Sequence, residues 1–305
     1  KWGWQDSGVR KVIKLMIPSI IGSSAAQVNL LFNTLIASFL AAGSISWIYY
    51  SDRLLEFPVG VFGVALSTVV LPNLSSKSAG QNQAQFRSIV QWGIRIAFLV
   101  SVPAATGLYI LSGPLIATIF LGGNFNIHDL YMTQYSLMAY AFGLIGLSMV
   151  LILASAYYAK QNTKTPVKFG LIAMATNASL SILFVTTLVL TNSPYPHMGL
   201  SLAFSCSTLL NAFLLFRGLI RERQIKVDRE EVAFLIRIVV ATGAMVMLLV
   251  IFNPELPVWL EQSLAERITH LMRLIPSAVL VYVLALFCLG IRARDIRVQT
   301  NPEPL

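Results

Sequence analysis

Eight long apolar segments run along this chain, at approximately 12–42, 46–74, 88–111, 131–158, 167–190, 199–217, 232–252 and 271–290. At about 1.5 Å per residue, roughly 20 apolar residues cross a hydrocarbon core about 30 Å thick. Inside lipid the backbone must satisfy its own hydrogen bonds, and these runs are too long for barrel strands of about 9–11 residues. The predicted fold class is all-α: a polytopic transmembrane helix bundle of eight spans. The stretch 112–129 interrupts the pattern. Its apolar run, 115–121, is too short to span and reads as an interfacial or re-entrant piece.

Composition removes the rival classes. Hydrophobic residues make up 56% and charged residues 11% of the 305, where a soluble domain carries about 25% charged. Disorder needs the opposite balance. A disulfide scaffold is excluded with only Cys206 and Cys288, both read as buried thiols.

The net charge of +9 would suggest nucleic acid in a soluble protein. Here 19 of the 22 Lys and Arg residues fall at the ends and in alternate connections on one side of the predicted spans. The opposite connections and their margins hold only Arg267 and Arg273. By the positive-inside rule both termini are cytoplasmic, and the partner is the lipid bilayer, with no nucleic acid. The longest polar break, 218–231, is the best internal boundary. The start at Lys1, with no signal-peptide pattern, reads as a piece of something longer.

Charge inside a span is rare enough to mark a site. Of the 13 acids only Asp52 and Glu56 lie within a predicted span, and Arg53 is the one cation well inside. Counted from Ser46, Arg53 is about 10 Å along the helix axis. Asp52 and Glu56 stand at i,i+4 and Arg53 and Glu56 at i,i+3, so one helix can partly neutralise all three. Such a cluster normally faces a bundle interior or water-filled cavity. The competing reading is an interfacial anchor built with Trp47, Tyr49 and Tyr50. Pro58 should bend the helix, and Gly60 and Gly63 should permit close packing. Asn29 and Asn33, also at i,i+4, are candidates to line a cavity or hold a cation, or to bond between helices. His128, His197 and His270 have no ligand spacing, so no metal site is expected. Phosphate-loop, nucleophile-elbow, HExxH and CxxC motifs are missing, which argues against an enzyme.

The run Tyr49-Tyr50-Ser51-Asp52-Arg53-Leu54-Leu55-Glu56-Phe57-Pro58 closely resembles the eighth helix of the MurJ (MviN) family of lipid II flippases. Ile17-Pro18, Asn33-Thr34, Leu111-Ser112-Gly113-Pro114-Leu115 and Lys164-Thr165-Pro166-Val167-Lys168 resemble the same family in the same order. The resemblance implies helices seven to fourteen of fourteen in a multidrug/oligosaccharidyl-lipid/polysaccharide exporter architecture. It divides the chain into a six-helix second lobe (1–217), a cytoplasmic connection (218–231), a final helix pair with a possible lipid-tail groove (232–290) and a cytoplasmic tail (291–305). It also implies the function. Lipid II, the undecaprenyl-pyrophosphate-linked peptidoglycan precursor, moves from the inner to the outer leaflet of the bacterial cytoplasmic (inner) membrane by alternating access.

On this reading Arg53 binds substrate, Asp52 and Glu56 position the charge or gate the cavity, and the partners are lipid II and a missing N-terminal lobe. No cofactor is expected beyond coupling to membrane potential or a cation. Some members of the family hold sodium through acids on the first helix here and on 167–190, where this chain has none. The alternatives are a polysaccharide or drug exporter of the same superfamily, or a membrane scaffold recruiting partners through 218–231.

Overall fold

A computed structural model describes Val9, Met16, residues 27–63, Leu74, 83–225 and 228–292. The start of the first expected span, the end of the second and the tail beyond 292 lie outside these residues. Among the described residues every regular element is helical, and the one β-bridge, between Gly122 and Phe125, is isolated.

Helix α1 covers 27–38. Gly43, at φ +103°, turns the chain into α2 (Ser44–Pro58). Any Cβ at Gly43 would stand 2.5 Å from the Trp47 ring, so both the backbone angle and the space require glycine. Then follow α3 (Gln83–Ile110), α4 (Ser112–Ile119), α5 (Ile127–Ala159), α6 (Lys164–Leu190) and α7 (Met198–Arg221). The last elements are α8 (Arg229–Phe252), a short α9 (Leu256–Glu261) and α10 (Leu264–Cys288). Six of these, α3, α5, α6, α7, α8 and α10, are long and apolar enough to cross a membrane.

Local chemistry explains where the helices begin. At α5 the Asp129 amide donates to Asn126 Oδ1 and the Asn126 amide donates to Asp129 Oδ2. Ser263 and Glu266 form the same reciprocal cap on α10, satisfying donors that have no partner within the helix. This cap starts α10 seven residues before the apolar segment predicted from 271. Pro257 within the first turn suits α9, a helix that hydropathy did not reveal.

α5 is the central helix. Of its most apolar stretch 61% is buried, against 22% for α6. It packs against α2, α3, α4 and α7, and α6 lies on the outer side of α7. Gly143 and Gly146 let α5 approach α7 closely: a Cβ on Gly146 would meet the Leu209 backbone nitrogen at 2.8 Å. A main core joins α3, α5 and α7 around Val90, Ile152, Leu153, Tyr157 and Leu215. A second joins α3, α8 and α10 around Leu99, Ile238, Leu249, Trp259 and Tyr282. The Tyr282 hydroxyl donates to the Leu99 carbonyl at 2.7 Å, so the final pair is bonded to the bundle.

Several expectations change in detail. The piece 112–129 forms α4, with Ser112, Pro114 and Ile116 buried, followed by the 122–125 turn. The connection predicted at 218–231 is shorter, because α7 continues to Arg221 and α8 begins at Arg229. It is also docked: Arg87 donates to the Arg223 carbonyl, and Arg95 makes a two-pronged ion pair with Glu231. Cys288 is exposed and Cys206 only half-buried. α10 turns Leu280, Leu284 and Phe287 outward, and an apolar position facing lipid is not a buried one.

Candidate functional site

Helix α2 has two unlike faces. Trp47, Ser51 and Leu55 are buried, and α2 packs on α5. The Ser51 hydroxyl donates to the Trp47 and Ile48 carbonyls of its own helix, which hides its polarity. The other face carries Tyr49, Arg53 and Glu56 at i, i+4 and i+7, all exposed, and Gly60 in the turn that follows is exposed as well. Helical spacing therefore forms a polar stripe.

Arg53 donates through Nη1 to Glu56 Oε2. The two side chains are 50% and 56% exposed, so the pair is open to whatever lies opposite. The guanidinium lies over the Tyr49 ring, 4.8 Å from its centroid, an arrangement that orients a cation without neutralising it. Asp52 is half-buried and, among the described residues, makes no ion pair with Arg53. Of the predicted trio, then, the structure pairs Arg53 with Glu56.

Pro58 lies in the last turn of α2, and a π-helical turn, Val59–Gly63, follows directly. A missing N–H and a clashing ring leave a preceding carbonyl free, and the wider turn absorbs the irregularity. A Cβ on Gly63 would meet Leu151 of α5 at 2.5 Å, whereas one on Gly60 would meet nothing within 4 Å. Close packing is thus a property of Gly63. Gly60 is a correction, because it is exposed.

Asn29 and Asn33 face α6. Asn177 Nδ2 donates to Asn29 Oδ1 at 2.7 Å and to Asn33 Oδ1 at 3.1 Å, and the Ser181 hydroxyl approaches Asn33 Oδ1 at 3.4 Å. A cavity of about 290 Å³ adjoins this clasp, lined by Asn29, Asn177, Asn211, Ser207, Thr208 and Tyr158 among others. An amide donor stands between the two Asn oxygens, and no carboxylate lines the space. These residues do not fit an acid-held sodium site of the kind some members of the resembled family carry, in line with the lack of acids in these spans. The unpartnered Asn177 and Asn211 oxygens suit water instead.

Two features escaped sequence reasoning. Arg267 is only 8% exposed and donates to the carbonyls of Trp259, Ala117 and Leu260 at 2.8–2.9 Å. The acceptors are brought together only by the fold. At the start of α7, His197 is fully buried. Its Nε2 meets the Met132 carbonyl at 2.9 Å, and its ring packs against Trp47, whose indole donates to Asp129. Burial holds His197 below the usual histidine pKa, although the Met132 hydrogen bond opposes this.

Six helices of membrane-crossing length among the described residues define a multi-pass α-helical membrane protein. A family profile described as "Lipid II flippase MurJ" matches residues 1–269, and the chain belongs to that family. It is 43% identical over 302 residues to a probable lipid II flippase MurJ of Haemophilus influenzae, covering 97% of this chain and 58% of the relative. A protein of the same description from Vibrio cholerae is 41% identical, covering 99% and 56%. The chain thus spans a little over half the length of these relatives. Among solved structures, lipid II flippase MurJ in an inward closed conformation superposes with a TM-score of 0.71 at 23% identity, over 92% of this chain and 54% of that one. An outward-facing MATE transporter of the MOP superfamily gives 0.61 at 12% identity, over 92% and 64%. At those identities the likeness is one of fold.

Proposed function

We propose that this chain is the second lobe and final helix pair of a lipid II flippase, with eight spans, both ends in the cytoplasm, in the bacterial inner membrane. The observation that carries the reading is the Arg53–Glu56 pair on the open face of α2. An arginine within a span costs at least about 2.5–3.5 kcal/mol at the bilayer centre, a cost that a binding role accounts for. In a cavity shared with a first lobe, low dielectric strengthens attraction between the guanidinium and a pyrophosphate.

Glu56 supplies a competing acceptor. In the empty state Arg53 is satisfied by Glu56, and a more highly charged pyrophosphate displaces the carboxylate. When substrate leaves, the pair re-forms, which keeps binding reversible. Asp52, half-buried alongside, adds a second acid next to the pair. The Pro58 kink and π-turn place an irregular segment beside the site, suited to bending between states. Membrane potential biases return of the empty carrier, since one charge moved through 100 mV is worth about 2.3 kcal/mol. For the tail, the groove expected on 232–290 finds support only along α8, where an apolar cavity of about 390 Å³ shared with α3, α5 and α7 has Phe98, Met149, Phe213 and Phe234 in its wall.

The connection is docked in part: Glu231 is engaged by Arg95, Glu222 by Lys160, and Gln224 is buried, while Arg221, Arg223, Asp228, Arg229 and Glu230 are exposed. The flippase reading is preferred to a scaffold because it also accounts for the charged pair on α2. The test is lipid II binding to the two-lobed protein, followed by native mass spectrometry. Arg53→Gln should weaken binding about tenfold, the value of one charge-assisted hydrogen bond, and Arg53→Lys should keep part of it. Unchanged affinity in Arg53→Gln contradicts the assignment.

A further inference from the structure

Between the end of α8 and the first turns of α10 lies a groove of about 640 Å³, lined by Phe252, Gln262, Glu266, Thr269, His270 and Arg273 among others. It is separate from the α2 stripe, and nothing in the proposed transport cycle uses it. Glu266, Thr269, His270 and Arg273 stand at i, i+3, i+4 and i+7, so they form one polar stripe. Across the helix from this stripe α10 exposes Ile268, Met272 and Ile275, a surface made for lipid.

The charges in this groove are ordered along the helix. At the outer end is an acidic and acceptor group. Glu266 uses Oε2 to accept from the Ser263 amide and hydroxyl, and Gln262 Oε1 is buried without a hydrogen-bond partner. About 10 Å further along the axis stands Arg273, which among the described residues makes no ion pair or hydrogen bond within the chain. His270 lies between, fixed by stacking on Trp259 at 4.7 Å. Beyond Arg273 the exposed residues of α10 are apolar as far as Phe287. An unpaired arginine at the rim of the hydrocarbon calls for an anion that lipid itself can supply.

We propose that this groove binds the zwitterionic headgroup of an aminophospholipid from the outer leaflet, with the ammonium at Glu266 and Gln262 and the phosphate at Arg273 and His270. The inference rests on the topology proposed above, in which α10 starts at the external surface. In that orientation the order matches a lipid standing in the outer leaflet: amine outermost, phosphate below it, acyl chains against the apolar length of α10. A purely anionic headgroup satisfies Arg273 but leaves Glu266 facing an anion, so the arrangement selects for the amine.

The test uses the purified protein and native mass spectrometry with phosphatidylethanolamine or phosphatidylglycerol added separately. The wild type should retain phosphatidylethanolamine in preference. Arg273→Gln should lower retention of both lipids, by about tenfold for the loss of a charge-assisted contact, and Arg273→Lys should restore part of it. Glu266→Gln, which can still close the helix cap, should abolish the preference while leaving phosphatidylglycerol bound. Equal retention of the two lipids by the wild type, or unaltered retention in Arg273→Gln, overturns the proposal. In a background without Cys206 and Cys288, labelling of Ser263→Cys from outside the cell separates a failure of the topology from a failure of the site.

Discussion

Arg53 and Arg267 show how surroundings divide two like residues. Arg53 was legible in the sequence, because a charge among apolar residues stands out, and its partner Glu56 lies within one helical turn. Arg267 was not, because it follows a polar loop and one of its acceptors, Ala117, is 150 positions away. Its side chain holds α4, α9 and α10 together through three carbonyls, and removing a buried cation leaves those acceptors bare. Arg267→Ala should therefore destabilise the bundle by about 3 kcal/mol, read as a lower midpoint in detergent-titrated unfolding. His197 gives a pH signature. Its folded pKa is depressed, so the folded state resists protonation while the unfolded state accepts it. Stability should be full above about pH 6.5, the ordinary histidine value, and decline as pH falls through and below it. His197→Gln should flatten that acid-side decline in thermal unfolding.

Among the elements, hydropathy located the membrane-length helices but not their ends. α10 begins at its Ser263–Glu266 cap, a Ser-x-x-Glu signal that lay in view but was outweighed by the apolar run starting later. The π-turn after Pro58 could be anticipated as a bend, not as a particular geometry, because the compensating turn depends on what α5 presents at Leu151. That Asn29 and Asn33 bond between helices was one of the two readings open in the sequence, and it holds; that Asn177 is the partner could not be read, since it joins segments almost 150 residues apart. Interhelical hydrogen bonds in membranes are worth about 0.6 kcal/mol on average, so Asn177→Ala should cost about 1 kcal/mol in the same unfolding assay. The closer α5–α7 contact is stiffer. Gly146→Val sets a side chain against backbone and should cost about 1–3 kcal/mol as overpacking, more than the amide change.

For the whole molecule, the sorting of cations carried the topology reading, and the Arg95–Glu231 and Tyr282–Leu99 contacts tie α8 and α10 to α3. The open stripe of α2 is exposed in this chain, so what faces it is not written in these 305 residues' own contacts. On the proposed function, Arg53 of that stripe meets the substrate of a two-lobed flippase. The most direct measurement follows the leaflet position of lipid II in cells depleted of their own flippase and supplied with the two-lobed protein. With Arg53→Ala, lipid II should accumulate in the inner leaflet although the protein is present in the membrane at normal abundance. Normal export of lipid II by that variant would contradict the account.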